Sequence, residues 1–194
     1  SLGGALLLAG CSAPPAVIAI SASGLPADGT GLRVSATLNG VALAGVDELP
    51  VQGLPFGLRL PEGARGAVQV TLQVLTSDGC AAASGSATAT AQGEGRIDLP
   101  IPLTPLAPHL CRLRVTLSGG GRGRVTSSGG QIQCDAQEAQ RAVGSRCAAD
   151  LPADPAQPVA LRAEPESGSV FTGWTGPCVG LDPCALVLSG PLSV

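Results

Sequence analysis

Two stretches of this chain alternate apolar and polar residues with a period of two, and they constrain its fold more than any other feature. They are Leu32-Arg33-Val34-Ser35-Ala36-Thr37-Leu38 and Val68-Gln69-Val70-Thr71-Leu72-Gln73-Val74. That period sends successive side chains to opposite faces, so each stretch reads as an antiparallel strand with one face buried. Asn39-Gly40 follows the first directly. Both residues tolerate positive φ, so the pair predicts a tight turn into Val41-Ala42-Leu43. The composition agrees. Val, Leu and Ala carry the hydrophobicity, with two Phe, one Trp and no Tyr, among 28 Gly and 17 Pro in 194 residues. Short strands joined by turns follow from such a mixture, and the expected fold class is all-β.

Further strands are expected at Val17–Ile20, Phe56–Leu60, Cys80–Ala91 and Gly95–Leu103, with a loop at Ser23–Gly29 and a turn at Asp78-Gly79. About seven strands at regular spacing predict a β-sandwich over residues 16–105. In pattern it resembles a bacterial immunoglobulin-like or fibronectin-like module. Pro102 to Pro108 holds dense proline, so residues 106–110 read as a linker and 111–194 as a second, disulfide-stapled β domain. Asp28 and Asp47-Glu48 fall in loops without the dense acidic spacing of a calcium site and read as solvated carboxylates. Leu113–Leu117 and Gly123–Ser127 flank Ser118-Gly119-Gly120-Gly121-Arg122 and predict a hairpin. That loop lacks the lysine and following helix of a phosphate loop.

The apolar run Gly3–Ala9 ends in Leu8-Ala9-Gly10-Cys11 and the proline-bearing Ser12-Ala13-Pro14-Pro15. The tetrapeptide resembles a bacterial lipobox, in which a signal peptide is cut before a cysteine that then carries lipid. The resemblance implies a signal segment at 1–10, lipidation at Cys11, a linker over 11–15, and a membrane partner reached through the lipid. The start at Ser1 and the absence of Met suggest a piece lacking its first residues. Setting Cys11 aside leaves six cysteines, Cys80, Cys111, Cys134, Cys147, Cys178 and Cys184, enough for three disulfides in an oxidising compartment. Cys80 begins a strand able to lie beside the exit of the first domain, which favours Cys80–Cys111. The alternative leaves Cys111 wholly to the second domain.

In the second domain, Gly123–Cys134, Val159–Pro165, Gly168–Cys178 with its core Phe171-Thr172-Gly173-Trp174, and Cys184–Leu188 resemble the divergent internalin B-type repeat of bacterial surface and secreted proteins. The resemblance covers 113–194 and implies the pairs Cys134–Cys147 and Cys178–Cys184. It also implies a further strand beyond Val194, so the C-terminus reads as clipped. Asp135 to Arg146 is longer than such repeats carry, and Asp135 with Glu138 three residues on predicts a capped helical turn. Phe171, Gly173 and Trp174 form the core motif: a domain so poor in aromatics needs them inside.

No arrangement of residues points to catalysis. The single His109 lies in the proline-rich segment, and Glu164 and Glu166 flank Pro165 in a bend. No serine elbow or zinc-type cluster occurs, and no metal or cofactor is expected. A net charge of −3 with eleven cations, all arginine, gives no reason to expect nucleic acid. The reading is a lipid-anchored, non-enzymatic envelope protein, extracytoplasmic on the outer membrane or cell surface, whose β modules serve adhesion, assembly or envelope structure. A surface protein or polysaccharide is the expected partner. The alternatives are a carbohydrate-binding or accessory module of a larger secreted enzyme or receptor, and a secreted protein without lipid.

Overall fold

The alternating residues lie in adjacent strands of one sheet. The structure is a computed structural model that describes residues 15–43, 48–141 and 145–194. The lipidation residue Cys11 and the loop residue Asp47 lie outside the described residues. In the first half of the chain the strands are β1 Val17–Ser23, β2 Gly31–Leu38, β3 Val41–Ala42, β4 Leu49–Pro50, β5 Phe56–Arg59, β6 Arg65–Leu75, β7 Ala81–Gln92 and β8 Arg96–Pro102. β2 and β6 pair antiparallel from Gly31↔Leu75 to Leu38↔Val68. Their inward residues, Leu32, Val68, Val70, Leu72 and Val74, are fully buried. At roughly 1.5–3 kcal/mol for each such side chain, this row is a main source of stability. The turn between β2 and β3 has Asn39 at φ 51° and Gly40 at φ 80°. The Asn39 side chain also bridges to β6, donating to the Arg65 carbonyl and accepting from Ala67 N–H, both at 3.0 Å. Gly66, at φ 114°, lies against that amide, where a Cβ would collide with it.

A three-stranded sheet in the order β5-β1-β8 faces β2, β6 and β7. Ile18, Ile20, Leu99 and Ile101 from the small sheet share one core with the alternating rows. The fold is all-β. β1 and β8 run parallel over Val17↔Arg96 to Ser23↔Pro102, which departs from the purely antiparallel sheets of an immunoglobulin sandwich.

The second half adds β9 Thr104–Arg114, β10 Gly123–Ser127, β11 Gln133–Asp135, the helical turn α1 Ala136–Ala139, β12 Ala148–Pro152, β13 Val159–Pro165, β14 Cys184–Leu186 and β15 Leu192–Ser193. The segment 106–110, expected as a linker, lies inside β9 and corrects that reading. β9 pairs with β7 through Ser84↔Thr104, Ala83↔Pro105 and Ala81↔Leu110. Pro108 falls in the gap between the last two pairs, where its missing N–H leaves no ladder bond unmade. Beyond Leu110, β9 pairs with β12, and β15 joins it in parallel. The large sheet therefore runs β12-β9-β7-β6-β2-β3.

The hairpin expected between Leu113–Leu117 and Gly123–Ser127 does not form. β10 belongs to a separate sheet, β11-β10-β13-β14. The backbone past β9 is engaged elsewhere, with Val115 N–H donating to the Cys147 carbonyl and Thr116 N–H to that of Val194, each at 2.7 Å. Ser118–Arg122 thus carries the chain from one sheet to the other. Leu113, Val115, Val125, Leu151, Leu161 and Leu186 pack between them in a second core, which also takes in all six described cysteines. Asp135 caps α1 by accepting from Gln137 N–H at 2.9 Å and Glu138 N–H at 3.0 Å. Glu138 does not return the bond as a capping box would; it reaches forward to Arg146 N–H at 3.0 Å.

Candidate functional site

Three disulfides hold the second core: Cys80–Cys111, Cys134–Cys147 and Cys178–Cys184, with Cα separations of 4.3, 4.4 and 5.7 Å. The first joins the start of β7 to β9. The second ties β11 to the approach to β12. The third closes a loop over Trp174. Cys178 is half-exposed, whereas the other five are buried.

Trp174 is 9% exposed, which leaves no open indole face for a sugar ring to stack on. Its Nε1–H donates to the Asp182 carbonyl at 2.8 Å and its backbone N–H to that of Gly180 at 2.9 Å, so both polar groups bond the disulfide loop. Phe171 packs edge-on, with ring centroids 5.0 Å apart and planes at 66°. Gly173 sits at φ 129°, where a Cβ would come within 3.0 Å of the Gly180 carbonyl. Only glycine admits both that backbone conformation and that approach.

Beside this motif lies a cleft of about 350 Å³ between the Ser118–Arg122 crossover and the Val170–Thr175 segment, floored by Val115, Val125 and Trp174. The crossover is fixed where it meets the cleft, because Arg122 N–H donates to Ser169 Oγ at 2.8 Å and Glu166 N–H to the Arg122 carbonyl at 3.0 Å. The polar lining is guanidinium and hydroxyl, with the single carboxylate Glu164 held by Arg162 at 3.6 Å.

A second cleft, of about 340 Å³, meets the first along Val115–Leu117 and is lined by Arg112, Arg114, Arg141 and Ser145. Arg112 and Arg114 share one face of β9 because they are two residues apart, while Leu113 between them is buried. Asp150 on β12 stands opposite Arg112 and gathers a charge cluster on the large sheet. It accepts from Arg33 at 3.2 Å, from Gln73 at 3.2 Å and from Arg112 at 3.5 Å. Arg33 also reaches Glu48 at 3.6 Å, giving that loop carboxylate a partner.

The other sequence-derived residues lie apart from these clefts. His109 is half-exposed in β9, and its carbonyl accepts from Ala153 N–H at 2.8 Å. Asp28 is exposed in the loop before β2. Asp78 turns into β7 by accepting from the Thr76 hydroxyl and from Cys80 N–H, and these bonds hold its carboxyl below the ordinary value of 3.8. Asp135 is shifted the same way, chiefly by the Glu138 N–H at the start of α1.

The sequence reading missed Asp150, Arg112, Arg114 and the part played by Arg122. Arg112-Leu113-Arg114-Val115-Thr116 carried the signal for a charged strand face. Nothing local announced the register that brings Asp150 to Arg112.

No family model and no curated protein matches the chain. Among solved structures it is similar to a leucine-rich repeat protein from Bacteroides thetaiotaomicron VPI-5482, at 14% identity with a TM-score of 0.35. The match covers 93% of this chain and 26% of that one.

Proposed function

We propose that this chain is a non-catalytic binding module of a bacterial cell envelope, tethered to a membrane by lipid at Cys11. The observation that carries the reading is a disulfide-stapled all-β scaffold presenting preformed clefts lined by guanidinium and hydroxyl groups. Disulfides persist in oxidising compartments, which supports a place outside the cytoplasm. Leu8-Ala9-Gly10-Cys11 supports the tether, and two acyl chains suffice for stable anchoring where one does not. Phe171-Thr172-Gly173-Trp174, closed by Cys178–Cys184, supports reading the second half as a divergent internalin B-type repeat. The two-sheet core of the first half supports an immunoglobulin-like relative with altered strand order. The cleft chemistry is that of ligand capture: charged and hydroxyl donors on fixed strands, serving adhesion or assembly.

The test is the intact mass of the protein extracted from bacterial membranes, before and after reduction. The expected species begins at Cys11, carries acyl chains and gains two hydrogens per bridge on reduction. Cys11→Ser is expected to lose membrane association. An unacylated protein recovered from the medium, or a Cys11→Ser protein still in the membrane fraction, overturns the tether.

A further inference from the structure

The two clefts border the same three residues, Val115, Thr116 and Leu117, just past the end of β9, and this adjoining pair makes up a candidate ligand groove. Its charges are unevenly satisfied. Arg112 is held by Asp150 at 3.5 Å, Arg141 by Glu138 at 3.4 Å, and the wall carboxylate Glu164 by Arg162. Arg114 in one cleft and Arg122 and Arg124 in the other are exposed and form no ion pair among the described residues. Arg124, however, stands across the β10–β11 ladder from Asp135 and, after the Glu138 N–H, helps hold that carboxyl low. The groove thus offers three guanidinium forks outside any ion pair among the described residues, on a chain whose net charge is −3. Of these, Arg114 and Arg122 stand one in each cleft, with no described acid across a ladder from them. Between and around them stand the hydroxyls of Thr116, Ser118, Thr172 and Thr175.

A guanidinium fork matches carboxylate and sulfate oxygens two at a time, which an ammonium cannot do. Hydroxyl donors placed between such forks suit uncharged, hydroxyl-rich rings. Bases of a nucleic acid would need exposed aromatic faces to stack on, and Trp174 is 9% exposed with its indole N–H already committed. We propose that the groove binds a linear acidic polysaccharide, with Arg114 and Arg122 each gripping a carboxylate or sulfate and the Thr116 region contacting the sugar between them. This deepens the binding role proposed above and rests on it; it does not rest on the lipid at Cys11.

Polygalacturonate, dextran sulfate, neutral dextran and oligothymidylate are each immobilised and titrated with the detergent-extracted chain and with its Cys11→Ser form. Polygalacturonate or dextran sulfate is expected to retain both forms, with affinity that falls as salt rises. The preferred polymer distinguishes carboxylate from sulfate recognition. Neutral dextran is expected to retain neither form. Arg114→Ala and Arg122→Ala should each weaken binding by roughly tenfold, the loss of one charge-assisted pair. Arg65→Ala, on β6, should leave it unchanged. Arg114→Gln and Arg122→Gln replace the alanine variants if those alter the far-UV spectrum. Failure of both acidic polymers overturns the proposal. Equal retention by neutral dextran or oligothymidylate, or wild-type affinity in both arginine variants, overturns it too. An unaltered chain that binds but is recovered unacylated from the medium leaves the groove standing and removes only the tether.

Discussion

Replacing Cys80 and Cys111 together by alanine is expected to be the most costly removal of any one disulfide here, and the ranking follows from the structure. The three bridges close loops with sequence separations of 31, 13 and 6 residues. On the chain-entropy account, constraint of the unfolded chain grows with the logarithm of loop length. It gives about 3.7 kcal/mol for Cys80–Cys111, about 2.9 for Cys134–Cys147 and about 2.2 for Cys178–Cys184. Burial widens the gap between the first and last. Cys80 and Cys111 are 1% and 0% exposed, so alanine there leaves a void that the half-exposed Cys178 does not. The assay is guanidinium unfolding of the three double-alanine variants, followed by far-UV circular dichroism and by Trp174 emission. The expected order of stability loss is the order of loop length. A Cys178→Ala/Cys184→Ala variant that loses as much as Cys80→Ala/Cys111→Ala would refute the reasoning, because local strain would then outweigh the constraint on the unfolded state.

Three further outcomes are expected. Asp150→Ala removes the acid that joins Arg33, Gln73 and Arg112, but Arg33 keeps Gln73 at 3.1 Å and Glu48 at 3.6 Å, so the cost should be about 1–2 kcal/mol. By contrast, Asp98→Ala breaks the exposed Arg96 pair and should cost less than about 0.5 kcal/mol in the same thermal or denaturant assay. Asp78 has a folded pKa below 3.8, so its contribution is present above that pH and fades as pH falls through the folded value. Asp78→Asn should therefore reduce stability at neutral pH, and acid titration of both proteins should show the difference shrinking as pH drops below about 3.8. Trp174→Phe deletes the bond to the Asp182 carbonyl and part of the core, at about 1–3 kcal/mol by equilibrium unfolding. In the unaltered chain, Trp174 emission should be blue-shifted and poorly quenched by acrylamide.

The strands of the first core were legible because each advertises itself locally. Val68 to Val74 alternate, one side falls into the core, and Asn39-Gly40 sets the register with its own φ angles. The parallel pairing of β1 with β8 was not legible, since Val17–Ile20 reads the same whichever strand it meets. Proline misled the reading at 106–110. Pro105 and Pro108 look like interruptions in a linear scan, yet Pro105 sits in the ladder opposite Ala83 and Pro108 falls in the gap between paired positions, where no donor is required. The glycines of Ser118–Arg122 were equally ambiguous, because a loop that can make a hairpin can also cross between sheets. What decided between them was the bonding of Val115 to Cys147 and of Thr116 to Val194, contacts set by residues far along the chain. Trp174 was placed inside on the ground that so few aromatics must be buried, and it is 9% exposed. The groove cations depend on which arginine meets which acid, and that is a matter of tertiary register.

The route taken by β9 explains why a groove at its end can be rigid. A linker at 106–110 would leave the second half free to swing. Instead, β9 is hydrogen-bonded to β7 on the first core and to β12 on the second, and Cys80–Cys111 locks the β7–β9 contact. The Asp150 cluster adds a tie from β12 across to Arg33 on β2 and Gln73 on β6, on the face away from the alternating core. Arg112 and Arg114 therefore extend from a strand fixed on both sides. The opposite wall is fixed by the Ser169 bond to Arg122 and by the disulfide loop over Trp174. Side chains carried on such supports lose little backbone freedom when they engage a ligand, so more of each contact is retained as affinity. A module built this way needs no closing motion to bind. Its ligand preference should follow the placement of Arg114 and Arg122, and substitutions that loosen β9, such as loss of Cys80–Cys111, should weaken binding without touching the groove.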